Sequence, residues 1–243
     1  MSLPAMRECN AYNPHGIGVS WVQDGKVHYR KGIQFSNEAH ELLKDVPLPH
    51  VIHFRYATVG KVKPELCHPF VIRRDVPNFT IGRTTKTVLF HNGTIKDIEV
   101  FAKLAGASRL KTDSDSRIMA KICANRGQFL LEHVAERTKK NQYPNKFVTM
   151  NRVGDITIHG EFYRHNGINY SNLRWRNNVR TGTKFQGFNT KPVHSYYRQS
   201  DFIDEPEQMT EDEYVQPDPP EDFRIPDDAF LNEEDLGDKS GGS

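Results

Sequence analysis

The chain has 243 residues, 36% of them hydrophobic, with a formal net charge of +2. That is enough for one substantial domain plus further chain, with a hydrophobic share low for a fully folded protein of this length. No long apolar run is present and the first nine residues lack the apolar core of a signal peptide, so neither a membrane span nor secretion is expected. Cys9, Cys67 and Cys123 show no CxxC spacing, which argues against a disulfide framework or a zinc finger and for a reducing, cytoplasmic setting. The small net charge conceals an asymmetry. Residues 201–243 carry sixteen acidic and two basic side chains, and residues 1–200 carry fifteen acidic and thirty-one basic. A basic body with an acidic tail suggests a nucleic-acid surface, a tail that folds back onto the body or a protein partner for the tail, and a soluble basic domain with a solvated acidic tail is the alternative.

Taken in order, Pro4 to Tyr12 reads as a short helix, and Asn13-Pro14-His15-Gly16 as a turn. Gly18–Val22 and Lys26–Arg30 flank Gln23-Asp24-Gly25, a hairpin signal. Ser36 opens a helix that Pro47 and Pro49 close. His50 to Thr58 predicts a strand with Val51, His53, Arg55 and Ala57 on one face and Ile52, Phe54 and Tyr56 on the other. Arg55 is a candidate carboxylate clamp, since a guanidinium grips a carboxylate through two parallel hydrogen bonds. On an edge strand it would simply face water.

Val71–Arg73 and Thr87–Phe90 are expected strands. His91-Asn92-Gly93 then forms a strand-to-helix turn, with the helix running from Ile95 to Leu104. Backbone N–H groups face outward at such a turn. The Asn92 amide with the Gly93 N–H is one way to build an oxyanion hole, and a plain Asn-Gly turn is the alternative. Ser114-Asp115-Ser116 precedes the apolar stripe Ile118, Met119, Ile122 and reads as a helix start. Asp115 either caps that helix or grips a ligand ammonium. Gln128–Arg137 is a further helix. Lys146–Met150, Asp155–His159 and Glu161–Tyr163 alternate like strands, and Gly167–Asn172 closes the ordered region. From Arg174 basic and aromatic residues interleave, a pattern suited to stacking single-stranded nucleic acid or to packing on the domain. Residues 201–243 are expected to be disordered.

These segments together resemble class II glutamine amidotransferases, particularly the short phage-borne kind. The motifs are NPHGIG (13–18), HFRYATVG (53–60), HPF (68–70), HNG (91–93), SDS (114–116) and a closing YSN (170–172). They fall in order between residues 5 and 175 and leave the tail uncovered. The resemblance implies an α+β fold, the αββα sandwich of N-terminal-nucleophile hydrolases, over 1–175. A basic and aromatic extension (176–200) and the acidic tail (201–243) would follow. It implies that Arg55 binds the α-carboxylate of glutamine, Asp115 its α-amino group, Asn92 and Gly93 the oxyanion, and that Thr58 shapes the pocket. No cofactor or metal is implied, and a metal site of His53, His68 and His91 has no matching ligand spacing.

The family's nucleophile is a cysteine directly after the initiator methionine, and here that position holds Ser2. Cys9 falls inside the expected first helix, a poor placement for the nucleophile. His15, Val59 and Arg117 depart from the family pattern as well. Two readings follow. One is an amidotransferase-type glutaminase whose first strand and catalytic cysteine lie upstream. The other is an inactive relative serving as a binding or assembly module, with nucleic acid or a protein partner, and with an edge strand open to another chain. Under either reading the protein is placed in the cytoplasm, a host's if it is phage-encoded.

Overall fold

The computed structural model describes residues 1–58, 61–96, 98–104, 106, 114–175 and 196–197. The basic and aromatic extension, apart from 196–197, and the acidic tail expected to be disordered lie outside the described residues.

The chain opens with helix α1 (Leu3–Tyr12), then the hairpin β1 (Ile17–Gln23) and β2 (Lys26–Ile33), helix α2 (Ser36–Lys44) and strand β3 (Val51–Phe54). A 3-10 turn at Pro64–Leu66 leads to β4 (Phe70–Val71), β5 (Ile81–Thr84) and β6 (Val88–Asn92). Helices α3 (Ile98–Leu104), α4 (Asp115–Arg126) and α5 (Phe129–Thr138) follow. The rest is β7 (Lys146–Met150), β8 (Ile156–His159), β9 (Tyr163–His165), β10 (Ile168–Tyr170) and β11 (Tyr196–Tyr197). All strand pairing among the described residues is antiparallel. One sheet runs β3-β1-β2-β5, a second β11-β8-β7-β6-β4, and β9 and β10 form a separate ribbon.

Three hydrophobic clusters define four layers. Met6 of α1 and Ala39 of α2 pack on Ile17, Val19 and Trp21 of β1, with Ile52 and Phe54 of β3 beside them. Val22, Val27 and Tyr29 of the first sheet meet Val88, Phe90, Met150, Ile156 and Ile158 of the second. Leu89 and Phe147 on the far side of that second sheet are covered by α3, α4 and α5 through Phe101, Ile118, Met119, Ile122, Leu130 and Leu131. Helices thus cover both outer faces of two stacked sheets. The reason lies in the strands: β1 is buried on both faces, so neighbours must lie on each side of it. Gly18 of β1 lacks a side chain where one could not fit, because a Cβ there would stand 1.7 Å from the His68 carbonyl oxygen.

The expected hairpin and the alternation of β3 are present. Val51 packs toward the second sheet, and Ile52 and Phe54 toward α1 and α2. Other expectations are corrected. The β3 strand ends at Phe54, so Arg55, Ala57 and Thr58 lie on a loop, where the Ala57 N–H is held by His15 Nδ1 at 2.8 Å. The helix expected from Ile95 starts at Ile98, and the Ile95 N–H ahead of it donates to the Asp115 carboxylate at 2.9 Å. Ser36 does not cap α2: Phe35 is its N-cap, and the Ser36 hydroxyl donates to the Met6 carbonyl at 3.2 Å, tying α2 to α1. Strand β5 carries no clear alternation and is not anticipated in the sequence. No helix among the described residues is long and apolar enough to cross a membrane.

Candidate functional site

Between the two sheets, where β3 and β6 end and α4 begins, lies a cleft of ≈ 80 Å³. Arg55, Thr58, Asn92, Gly93 and Asp115 all line it, together with His53, His68, His91 and Ser116. Each arrives from a different part of the chain. His53 and Arg55 come from the end of β3 and the loop after it, His91 to Gly93 from the end of β6, and Asp115 and Ser116 from the first turn of α4.

Arg55 is buried. Its main chain is pinned at both ends, its N–H donating to the Gly16 carbonyl at 2.9 Å and its carbonyl accepting from the His15 N–H at 3.0 Å. One guanidinium nitrogen, Nη2, donates to the Lys61 carbonyl at 3.1 Å, and Nη1 is buried without a partner. An unmatched guanidinium N–H in a cleft is costly unless a ligand acceptor meets it. Across the cleft, Asp115 is 7% exposed and its carboxylate is already engaged. Oδ1 accepts from the Ser116 N–H at 2.8 Å, and Oδ2 from the Ile95 N–H at 2.9 Å. Asp115 therefore braces the loop after Gly93, and its spare lone pairs are what remains for a ligand.

Gly93 adopts φ +138°, and a Cβ there would meet Asn145 Oδ1 at 2.5 Å and Asn145 Cα at 2.9 Å. The turn is thus pressed flat against Asn145, and only glycine fits. Thr58 Oγ1 and Thr94 Oγ1 are 3.0 Å apart and join the two lips of the cleft.

Below the turn sits His91, 3% exposed and stacked on Phe147 at 4.7 Å. Its Nδ1 is 2.8 Å from Ser116 Oγ and its Nε2 2.8 Å from Asn145 Oδ1. His53 Nε2 donates to the His91 carbonyl at 3.1 Å and so ties the first sheet to the second. The His53 and His68 rings lie 4.0 Å apart, and both nitrogens of His68 and Nδ1 of His53 are buried without partners. Burial lowers the pKa of all three imidazoles. His53 falls to about 3, with the nearby His91 adding to the effect, and His68 well below the ordinary range. His91 is lowered by burial, against the opposing pull of Asp115 and Asn145. These three histidines cluster, yet among the described residues no group of three His, Cys, Asp or Glu side chains could hold a metal ion.

The cysteines stand apart from this constellation. Cys9 is buried in α1, where its thiol is pushed up to about 12 by burial, with Glu8 adding to it, and it does not line the cleft. Cys123 is buried in the helical layer, with its thiol likewise pushed up to about 12. Cys67 is buried beside the cleft, between the lining residues Leu66 and His68, and burial raises its pKa despite Arg55 and Lys31 nearby. Sequence reasoning missed Asn145, a lone polar residue ahead of a strand with no motif to mark it.

Solved structures similar to this chain include the following two. A glutamine phosphoribosylpyrophosphate (PRPP) amidotransferase from B. subtilis, complexed with ADP and GMP, matches 68% of this chain at 18% identity with a TM-score of 0.47. A structure of the allosteric regulatory enzyme of purine biosynthesis matches 65% of it at 19% identity with a TM-score of 0.43. The chain spans about a third of the length of each, 36% and 35% respectively. No family model and no curated protein matches the sequence.

Proposed function

We propose that the cleft is a glutamine site of the class II amidotransferase type, on an N-terminal-nucleophile hydrolase fold. The observation that carries this reading is convergence. Arg55, Thr58, Asn92, Gly93 and Asp115 are separated by up to sixty residues in sequence, yet they line one cleft. The roles follow from their chemistry. The Arg55 guanidinium meets the α-carboxylate, Asp115 meets the α-ammonium, and Asn92 with the Gly93 N–H faces the side-chain amide oxygen. Ammonia is the product wherever a nucleophile reaches that amide carbon. The relation to the short phage-borne kind, and hydrolysis through an N-terminal cysteine, are parts of this proposal.

A second reading keeps the ligand and drops the chemistry: a glutamine-binding or assembly module with a protein or nucleic-acid partner. It is favoured by the absence of all three cysteines from the cleft lining. Calorimetric titration with L-glutamine tests what the two share. Binding is expected, and Arg55→Ala is expected to weaken it by ~2–5 kcal/mol through loss of the charge-paired hydrogen bonds. No binding by the folded chain, or equal binding by Arg55→Ala, overturns the proposal. Release of ammonia on incubation with glutamine separates the two readings.

A further inference from the structure

We infer that Ser116, His91 and Asn145 form a nucleophile, base and orienting group for acyl transfer, with Ser116 Oγ as the attacking atom. The geometry is specific. Ser116 Oγ lies 2.8 Å from His91 Nδ1, and His91 Nε2 lies 2.8 Å from Asn145 Oδ1. An amide oxygen only accepts, so Nε2 carries the proton and Nδ1 is left as the acceptor for the serine hydroxyl. That is the tautomer a general base needs, and an amide orienting group serves the same purpose in cysteine–histidine–asparagine hydrolases. Asn145 is held in turn, its N–H donating to Thr138 Oγ1 at 3.0 Å and its side chain pressed on Gly93. Phe147 stacks on the imidazole and fixes its plane.

The three groups open onto chemistry. Ser116 and His91 line the cleft with Asn92 and Gly93, so a carbonyl bound there has oxyanion donors in the same space. Ser116 sits in the first turn of α4, whose dipole favours negative charge on its oxygen. Asp115 is the competitor. Its Oδ1 lies 3.3 Å from Ser116 Oγ, longer than the contact to His91, and its Oδ2 lies 4.0 Å from His91 Nδ1, where it stabilises an imidazolium once formed.

The step balances without a co-reactant beyond water. Ser116 Oγ bonds to the carbonyl carbon as its proton passes to His91 Nδ1. The carbon–leaving-group bond then breaks as that proton passes to the departing amine or alcohol. Water, activated by His91 in the same way, releases the acid and restores the serine. The substrate class is a small primary amide or ester. For glutamine itself the inference rests on the binding site proposed above, with Ser116 in place of the cysteine as the attacking atom, whereas the acyl-transfer geometry does not.

The test uses the full chain and p-nitrophenyl acetate, with acid quenching and peptide mapping. An acetyl group on Ser116 is expected. Ser116→Ala, which removes only the hydroxyl, is expected to abolish that adduct and lower nitrophenol release by roughly 10²- to 10⁴-fold. Asn145→Ala is expected to slow acetylation of Ser116 at least roughly tenfold by freeing the imidazole. Acetylation should follow a single titration below the usual histidine range. It is shaped by the charged or titratable groups facing His91, namely Asp115 from α4, His53 from β3 and His68 from the loop before β4. No adduct on Ser116 in folded protein overturns the inference, as does an adduct whose rate ignores both Asn145 and pH. Glutamine calorimetry on Ser116→Ala keeps the two proposals apart. An acetylated Ser116 without glutamine binding sinks the glutamine reading alone, and glutamine binding without acetylation sinks the triad alone.

Discussion

Gly93 concentrates the demands placed on single residues here. Its positive φ and the proximity of Asn145 both exclude a side chain. Gly93→Ala is expected to cost ~1–3 kcal/mol in urea unfolding and to displace Asn145 from His91. A stability equal to wild type would mean the turn has more room than the 2.5 Å contact allows. His15 makes a similar point. Its ring nitrogen satisfies the Ala57 N–H, a fixed acceptor for the loop that carries Arg55 and Thr58. The sequence marked His15 as a turn residue and a departure from a pattern but not as this acceptor, since its partner lies forty-two residues away.

Helix α4 is the element that joins stability to the site. Its N-cap Ser114 accepts from the Arg117 N–H at 3.2 Å, its first turn delivers Asp115 and Ser116 to the cleft, and its apolar stripe is buried against the second sheet. Ser114→Ala is expected to lower stability by ~1 kcal/mol and to loosen the turn that holds Asp115. The measurement is the urea midpoint beside glutamine affinity, and a change in neither would remove the cap from this account. The stripe and the helix start were legible in the sequence because helical periodicity and capping are local, but the cap falls on Ser114 and not on Asp115. The start of α3 was not. Ile95 has the right residue type for a helix, but the helix begins three residues later, and a carboxylate twenty residues away holds the Ile95 N–H.

Across the described residues, five histidines, His50, His53, His68, His91 and His159, have pKa values lowered chiefly by burial. In the unfolded chain they return to about 6.5, so below that pH the unfolded state binds more protons than the folded one. Stability is therefore complete above about pH 6.5 and falls steadily as pH drops toward the His53 value of about 3. Chemical denaturation at intervals from pH 7.5 to 4.5 should show the midpoint declining. A flat profile would mean that these rings titrate in the fold as they do in the unfolded chain. Three of them lie where the sheets and α4 meet, so acid should weaken the cleft along with the fold.

The sequence by itself determined what local physics determines. The hairpin at Asp24-Gly25, the alternation through Val51–Phe54, the start of α4 and the apolar faces that make the layers are all readable from residue type and spacing. So were Arg55, Asn92, Gly93 and Asp115 as candidates, because their chemistry announces itself. Only the tertiary structure decided that those candidates share one cleft, that Asp115 spends both oxygens on the backbone and Ser116, and that Cys9 lies elsewhere. It alone set Ser116 and Asn145 on opposite sides of His91, partners twenty-five and fifty-four residues away. No periodicity carries a contact of that range. It arises when two sheets and a helix pack by burial of their apolar faces, and the polar groups at the seam must then find partners in each other.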